Sequence, residues 1–106
     1  ETKTFDAQTF AQLQDAGAQI VVDVRADWCP TCKQQAPILA ELMGRQEFKD
    51  YTILDVDFDT RQDVLKRFRV TQQSTLIVFD GKSEKGRSTG DTRKDSIAAL
   101  LRKARG

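Results

Sequence analysis

The sequence of 106 residues contains no histidine, which removes the side chain that most often serves as a general base or metal ligand near neutral pH. It has only two cysteines, two prolines and one tryptophan. No apolar run approaches the ~20 residues that a membrane-spanning helix needs. The 17 basic and 16 acidic residues give a net charge of +1, so nothing indicates nucleic acid as a partner. Sulfur is therefore the one chemically exceptional group in the chain.

The two cysteines are separated by two residues, in a stretch that links a predicted strand to a predicted helix. Cys29 and Cys32 follow the apolar run 20–24 and precede a helical pattern. This arrangement indicates a dithiol that opens and closes as a disulfide. Cys29 is expected at the helix start, where free N–H groups and the helix dipole favour a thiolate, with Pro30 at the first helical position. We expect Cys29 to be the more exposed and more acidic thiol.

Other uses of two cysteines fit the sequence less well. A structural disulfide that closes a two-residue loop would remove little entropy from the unfolded chain. A zinc site needs further Cys or His ligands, which the chain lacks, so a metal would require carboxylates or a second molecule. Redox exchange is the favoured interpretation.

Hydrophobic periodicity and turn residues divide the chain into alternating helices and strands. The predicted elements are a helix over 7–16, a strand over 19–25, a helix from Pro30 toward Gly44, a strand over 51–57, a short helix with a capping box at Thr60 and Asp63, a strand over 75–79, an edge strand over 84–89 and a final helix started by Thr92 and Asp95. Strands separated by helices should be parallel, and the last two should form a hairpin. The pattern predicts an α/β single domain with a central mixed β-sheet flanked by helices on both faces.

The Trp28-Cys29-x-x-Cys32-Lys33 motif is followed by Ala36-Pro37, with Asp23 upstream and both Thr75–Phe79 and Gly90 downstream. Together these features resemble the thioredoxin family over nearly the whole chain. The resemblance implies a thioredoxin fold, with residues 1–106 as one thioredoxin-like domain. It implies no bound cofactor and no metal.

The resemblance also implies roles for individual residues. Cys29 would attack a partner disulfide, Cys32 would resolve the mixed disulfide, and Asp23 would be the buried aspartate that assists deprotonation of Cys32. The residues implied to contact the substrate are Trp28, Pro30, Thr31, Gln73, Ser74 and Thr75. The residues implied to support the site are Lys33 and Pro37.

Three positions depart from the family pattern. Ser74 stands where the family has a cis-proline, and we expect a trans Gln73–Ser74 bond because a cis bond before a non-proline residue costs ~2.5–4 kcal/mol. Asp55 aligns with a family lysine near the buried aspartate, and a second carboxylate there should raise the pKa of Asp23 if both are buried. Arg25 replaces an aromatic residue that is common in the family before the motif.

The favoured hypothesis is a monomeric thiol–disulfide oxidoreductase that reduces protein disulfides and is regenerated by another redox protein. One alternative is a protein-binding module with weak redox activity that holds partners by the loop 72–76. Another is metal or cluster binding across a dimer, since Ser74 replaces the proline that would face the thiols. The start at Glu1 and the likeness of 26–29 to bacterial periplasmic thioredoxin-like domains favour an exported, periplasmic protein over a cytoplasmic one.

Overall fold

The computed structural model describes residues 1–105, in which strands and helices alternate. The elements are β1 (Thr2–Thr4), α1 (Ala7–Asp15), β2 (Gln19–Arg25), α2 (Pro30–Met43), a 3-10 turn (Gln46–Phe48), β3 (Thr52–Asp57), α3 (Gln62–Phe68), β4 (Thr75–Asp80), β5 (Ser83–Thr89) and α4 (Lys94–Lys103). None of the helices in this part of the chain combines the length and hydropathy needed to cross a membrane.

The five strands form one sheet in the order β1-β3-β2-β4-β5. The strands β1 and β2 both pair with β3 in parallel, whereas β4 is antiparallel to β2 and β5 is antiparallel to β4. The predicted mixed sheet with a terminal hairpin is therefore confirmed. Because β2 is the central strand, both of its faces are covered, which explains its continuous apolar run.

Two apolar cores lie on opposite faces of the sheet. On one face, Phe10 of α1 and Phe68 of α3 pack against Val22 and Val24. On the other face, residues of α2 and α4 pack against Val21 and its strand neighbours. Alternate side chains of a strand point to opposite faces, so Asp23 shares the face of Val21 and is directed toward α2.

One strand was missed and one local prediction was wrong. The strand β1 was not anticipated, because its three residues are exposed and carry no apolar pattern. The predicted capping box of α3 does not form. The Thr60 hydroxyl donates to Asp57 Oδ2 at 3.1 Å, and the Arg61 guanidinium donates to both carboxylate oxygens of Asp63. Short polar side chains in a turn have several local hydrogen-bond partners, and spacing alone does not choose among them.

The start of α4 also differs from its prediction. This helix begins at Lys94, and its N-cap residue Arg93 makes no side-chain capping bond. Asp91 instead accepts from the backbone N–H of Arg93 and from the hydroxyl of Ser96. Asp91, one residue before the predicted Thr92, therefore accepts the side-chain hydrogen bonds at the start of this helix.

The β4–β5 hairpin carries a bulge. Val78 pairs with Gly86 and Phe79 pairs with Glu84, so Lys85 is an extra residue on β5. At Gly86, an added Cβ would lie 3.0 Å from Leu100 Cδ1, and the absence of a side chain therefore lets α4 pack closely on the hairpin.

Candidate active site

The dithiol lies at the junction of β2 and α2. Cys29 is the N-cap residue of α2, and its sulfur accepts a hydrogen bond from the backbone N–H of Cys32 at 3.2 Å. Both thiols are free and buried, with exposed fractions of 2% for Cys29 and 4% for Cys32. The prediction that Cys29 is the more exposed thiol is therefore wrong. Ala26 and the partly buried Phe58 form one apolar cluster with the two cysteines.

The predicted order of acidity is confirmed. Burial raises the pKa of Cys29, but hydrogen bonds from Cys32, Ser74 and the first backbone N–H groups of α2 outweigh it, so the pKa of Cys29 lies below the ordinary thiol value. Burial and the neighbouring Cys29 raise the pKa of Cys32, and the Ser74 hydroxyl opposes this only in part. Cys29 is therefore the thiol that ionises first.

Ser74 is placed directly over the two thiols by a tightly held loop. All peptide bonds between described residues are trans, as predicted for Gln73–Ser74, and Ser74 has a positive φ of 63°. Its N–H donates to Val24 O at 2.8 Å, and its carbonyl accepts from Gly90 N–H at 3.0 Å. Its hydroxyl oxygen lies 3.2 Å from Cys29 Sγ and 3.1 Å from Cys32 Sγ. The serine thus reaches sulfur rather than solvent.

Gln35 supports this loop and was not predicted as a site residue. Its side chain is buried, and Nε2 donates to the carbonyl oxygens of Ser74 at 3.3 Å and Asp91 at 2.8 Å. Gln35 follows Cys32 by three residues on α2, and residues at this spacing share a helix face. That spacing is the signal by which it could have been found.

A groove beside Cys29 offers space for a partner chain. Its volume is about 220 Å³, and its lining residues are Cys29, Thr31, Gln72, Gln73, Ser74, Thr89 and Gly90. Three residues of the predicted substrate-contacting set, Thr31, Gln73 and Ser74, therefore lie together next to Cys29. Thr75 and Pro30 do not line this groove: the buried Thr75 donates to Gln72 O at 2.8 Å, and Pro30 begins α2.

The remaining predicted residues surround the dithiol at the surface. Trp28 is 55% exposed, and its indole N–H donates to Asp59 Oδ2 at 2.7 Å, which fixes the ring beside the site. No sequence pattern predicted Asp59, since it lies 31 residues from Trp28 in the chain. Lys33 and Pro37 are both exposed on α2, and the helix continues through Pro37.

Two carboxyl groups lie together behind the dithiol. Asp23 and Asp55 are opposite each other in the β2–β3 register, and Arg25 Nη1 is 3.7 Å from Asp55 Oδ2. They border a cavity of about 130 Å³, and the residues of α2 that line it include Ala36 and Leu39. The Asp55 Oδ1 atom is buried and has no hydrogen-bond partner among the described residues.

Burial, then the adjacent Asp55, raises the pKa of Asp23 to about 7, and Arg25 opposes this rise. Burial also raises the pKa of Asp55, against the opposing charge of Arg25. The prediction that Asp23 is buried and titrates above an exposed aspartate is confirmed. Neither thiol is hydrogen-bonded to Asp23 in the described structure.

Comparison with known proteins identifies the family. The thioredoxin family model matches residues 1–103. The chain belongs to the thioredoxin family. It is 35% identical over 88 residues to a thioredoxin of Chlamydia trachomatis, which covers 83% of this chain and 84% of the relative. It is also 35% identical over 97 residues to a bifunctional thioredoxin reductase/thioredoxin of Mycobacterium leprae; this match covers 92% of the chain but only 20% of that longer protein.

A solved structure shares the same fold. The crystal structure of Trxlp from Edwardsiella tarda EIB202 matches with a TM-score of 0.92 and 39% identity, over 95% of this chain and 98% of that one. Within the thioredoxin family, the Cys29–Cys32 spacing makes this protein a dithiol–disulfide oxidoreductase. The site therefore combines a dithiol at the family's spacing with Ser74 over the two sulfurs and Asp55 opposite Asp23.

Proposed function

We propose that the protein reduces disulfide bonds of partner proteins, with Cys29 as the attacking thiol and Cys32 as the resolving thiol. The observation that carries this assignment is the position of Cys29. Its sulfur caps α2, has a lowered pKa and borders the groove that Gln73 and Ser74 also line. A thiolate is the form that attacks disulfides, so the more acidic thiol at the groove acts first.

The reaction proceeds in two exchanges. The Cys29 thiolate attacks one sulfur of the partner disulfide; a mixed disulfide forms, and the other partner sulfur leaves with the electron pair as a thiolate. Cys32 then loses its proton and attacks Cys29 Sγ. The Cys29–Cys32 disulfide forms, and the second partner sulfur leaves as a thiolate. Two electrons pass from the dithiol to the partner, and one released sulfur takes up the proton of Cys32.

A second redox protein would return two electrons to the Cys29–Cys32 disulfide. We propose that the domain acts as a monomer.

We also propose an exported, periplasmic location, which the likeness of residues 26–29 to periplasmic thioredoxin-like domains supports. Subcellular fractionation of the source cells with an antibody to the protein tests this location, and recovery with the cytoplasmic fraction would contradict it.

A trapping experiment tests the two roles. A Cys32→Ser variant keeps the attacking thiolate but lacks the resolving thiol, so we expect partners to accumulate as mixed disulfides on Cys29. Nonreducing gels should show adducts that dithiothreitol removes. The matched Cys29→Ser variant should trap far less, and equal trapping by the two variants would reverse or abolish the assignment. Limited alkylation of the reduced wild type near neutral pH should label Cys29 first.

A further inference from the structure

The hydroxyl of Ser74 is almost equidistant from the two reacting sulfurs. Its oxygen lies 3.2 Å from Cys29 Sγ and 3.1 Å from Cys32 Sγ, and the residue is only 2% exposed. The backbone around it is fixed on both sides, because its N–H donates to Val24 and its carbonyl accepts from Gly90 and Gln35. The main remaining freedom of Ser74 is the direction in which its O–H bond points.

A serine hydroxyl donates one hydrogen and accepts others. It therefore cannot donate to both sulfurs at once. In the reduced protein, the Ser74 hydroxyl can donate to the Cys29 thiolate while Cys32 remains a neutral thiol. Among the described residues, the backbone N–H of Cys32 donates to Cys29 Sγ, and the Ser74 hydroxyl lies within hydrogen-bond distance of both sulfurs.

We propose that the Ser74 hydroxyl is a catalytic group that donates to whichever sulfur carries the negative charge, first Cys29 and then Cys32. The proposal rests on the proposed function, because it uses the order in which the two sulfurs act. The distances allow the change of partner by rotation of the hydroxyl alone, without movement of the loop.

The change of partner follows the two exchanges. Attack by Cys29 places its electron pair in the new S–S bond with the partner, and the negative charge departs with the released partner sulfur. The Ser74 hydroxyl then has no anion at Cys29 to bind. As Cys32 gives its proton to the released partner thiolate, the hydroxyl turns and donates to the Cys32 thiolate. That thiolate attacks Cys29 Sγ, and the second partner sulfur leaves with the electron pair.

Two substitutions remove the hydroxyl in different ways. Ser74→Ala deletes only the oxygen. Ser74→Gly also deletes Cβ, but glycine adopts a positive φ without strain and keeps the experiment usable if the alanine variant folds poorly. The matched control is Ser88→Ala in β5, opposite Leu76, because the buried Ser88 hydroxyl has no hydrogen-bond partner among the described residues.

Two measurements test the two halves of the proposal. The first is the pKa of Cys29, followed by the ultraviolet absorbance of its thiolate during a pH titration of reduced protein, which needs no substrate. Loss of the hydrogen bond from Ser74 to the charged Cys29 thiolate should lower the fraction of thiolate about tenfold at a pH below the pKa. The second is stopped-flow reaction with excess aromatic disulfide, in which the concentration-independent second phase reports attack by Cys32.

We expect both Ser74 variants to raise the Cys29 pKa and to slow the second phase about tenfold at neutral pH, while Ser88→Ala changes neither. An unchanged Cys29 pKa in both variants would overturn the proposal, and so would a raised pKa with an unchanged second phase. An equal effect of Ser88→Ala would also overturn it. If the proposed function itself fails, the result differs. The wild-type protein will then have an acidic Cys29 but will release no second thiol and reduce no protein disulfide.

Discussion

Replacing Asp23 with asparagine should stabilise the protein, and the gain should grow as the pH rises. Asp23 lies in the central strand with only 6% of its surface exposed, and Asp55 stands opposite it. Burial and that second carboxylate disfavour the charged form, which raises the pKa of Asp23 from 3.8 to about 7. Asparagine has nearly the same shape and carries no charge at any pH, so it avoids this penalty.

The sign and the magnitude follow from proton linkage. Between pH 3.8 and about 7 the folded protein holds a proton on Asp23 that the unfolded chain has lost, so the free energy of unfolding falls as the pH rises. The pKa differs by about 3 between the two states, and each unit corresponds to 1.36 kcal/mol. Ionised Asp23 therefore costs the folded state about 4 kcal/mol above pH 7, a large share of the 5–15 kcal/mol typical of a domain.

Urea unfolding of reduced wild type and Asp23→Asn at a series of pH values from 4 to 8 measures this difference. The two proteins should have similar free energies of unfolding near pH 4 and differ by about 4 kcal/mol at pH 8. Asp15→Asn is the matched control, because Asp15 forms an exposed ion pair with Lys82 and its charge stays in water. A difference between wild type and Asp23→Asn that does not change with pH would refute the reasoning.

Two further substitutions test a hydrogen bond in the core and an exposed ring beside the dithiol. Tyr51→Phe should lower the free energy of unfolding by about 1–3 kcal/mol, because the buried Tyr51 hydroxyl donates to Leu101 O at 2.6 Å; an unchanged urea midpoint would contradict this. Trp28→Ala should weaken partner binding, seen as a higher KM for a protein disulfide, because the exposed ring flanks the dithiol. The pKa of Cys29 should stay the same, and a shifted titration would indicate that Trp28 acts on the thiol instead.

The fold was largely predictable because its core elements carry strong periodic patterns. The strand 19–25 has the predicted bounds, since a buried central strand reads as a continuous apolar run. By contrast, β1 is held by its backbone pairing with β3 and has no apolar pattern to reveal it. The starts of α3 and α4 were misplaced because their polar side chains found other partners nearby.

Local sequence patterns predicted the candidate site only where its chemistry lies within one short stretch, and the family resemblance added the position of Ser74. The Cys29–Cys32 spacing shows the dithiol directly, and the buried Asp23 stands out as a carboxylate in an apolar strand. The roles of Ser74 and Gln35 depend on the approach of the loop before β4 to the start of α2, across about 40 residues of sequence. Such an approach is set by the packing of the whole sheet, and no local pattern encodes it.

The bulge at Lys85 has a consequence for self-association. An edge strand with free backbone groups can pair with an edge of another molecule, unless its ladder is interrupted or its side chains are charged. The β5 edge has both protections, since Lys85 breaks the regular register between Glu84 and Gly86 and is itself a charged residue. The opposite edge, β1, offers only three residues. Neither edge of the sheet gives a long, flat template on which a second copy could add a strand, so strand-by-strand aggregation from the folded state is disfavoured.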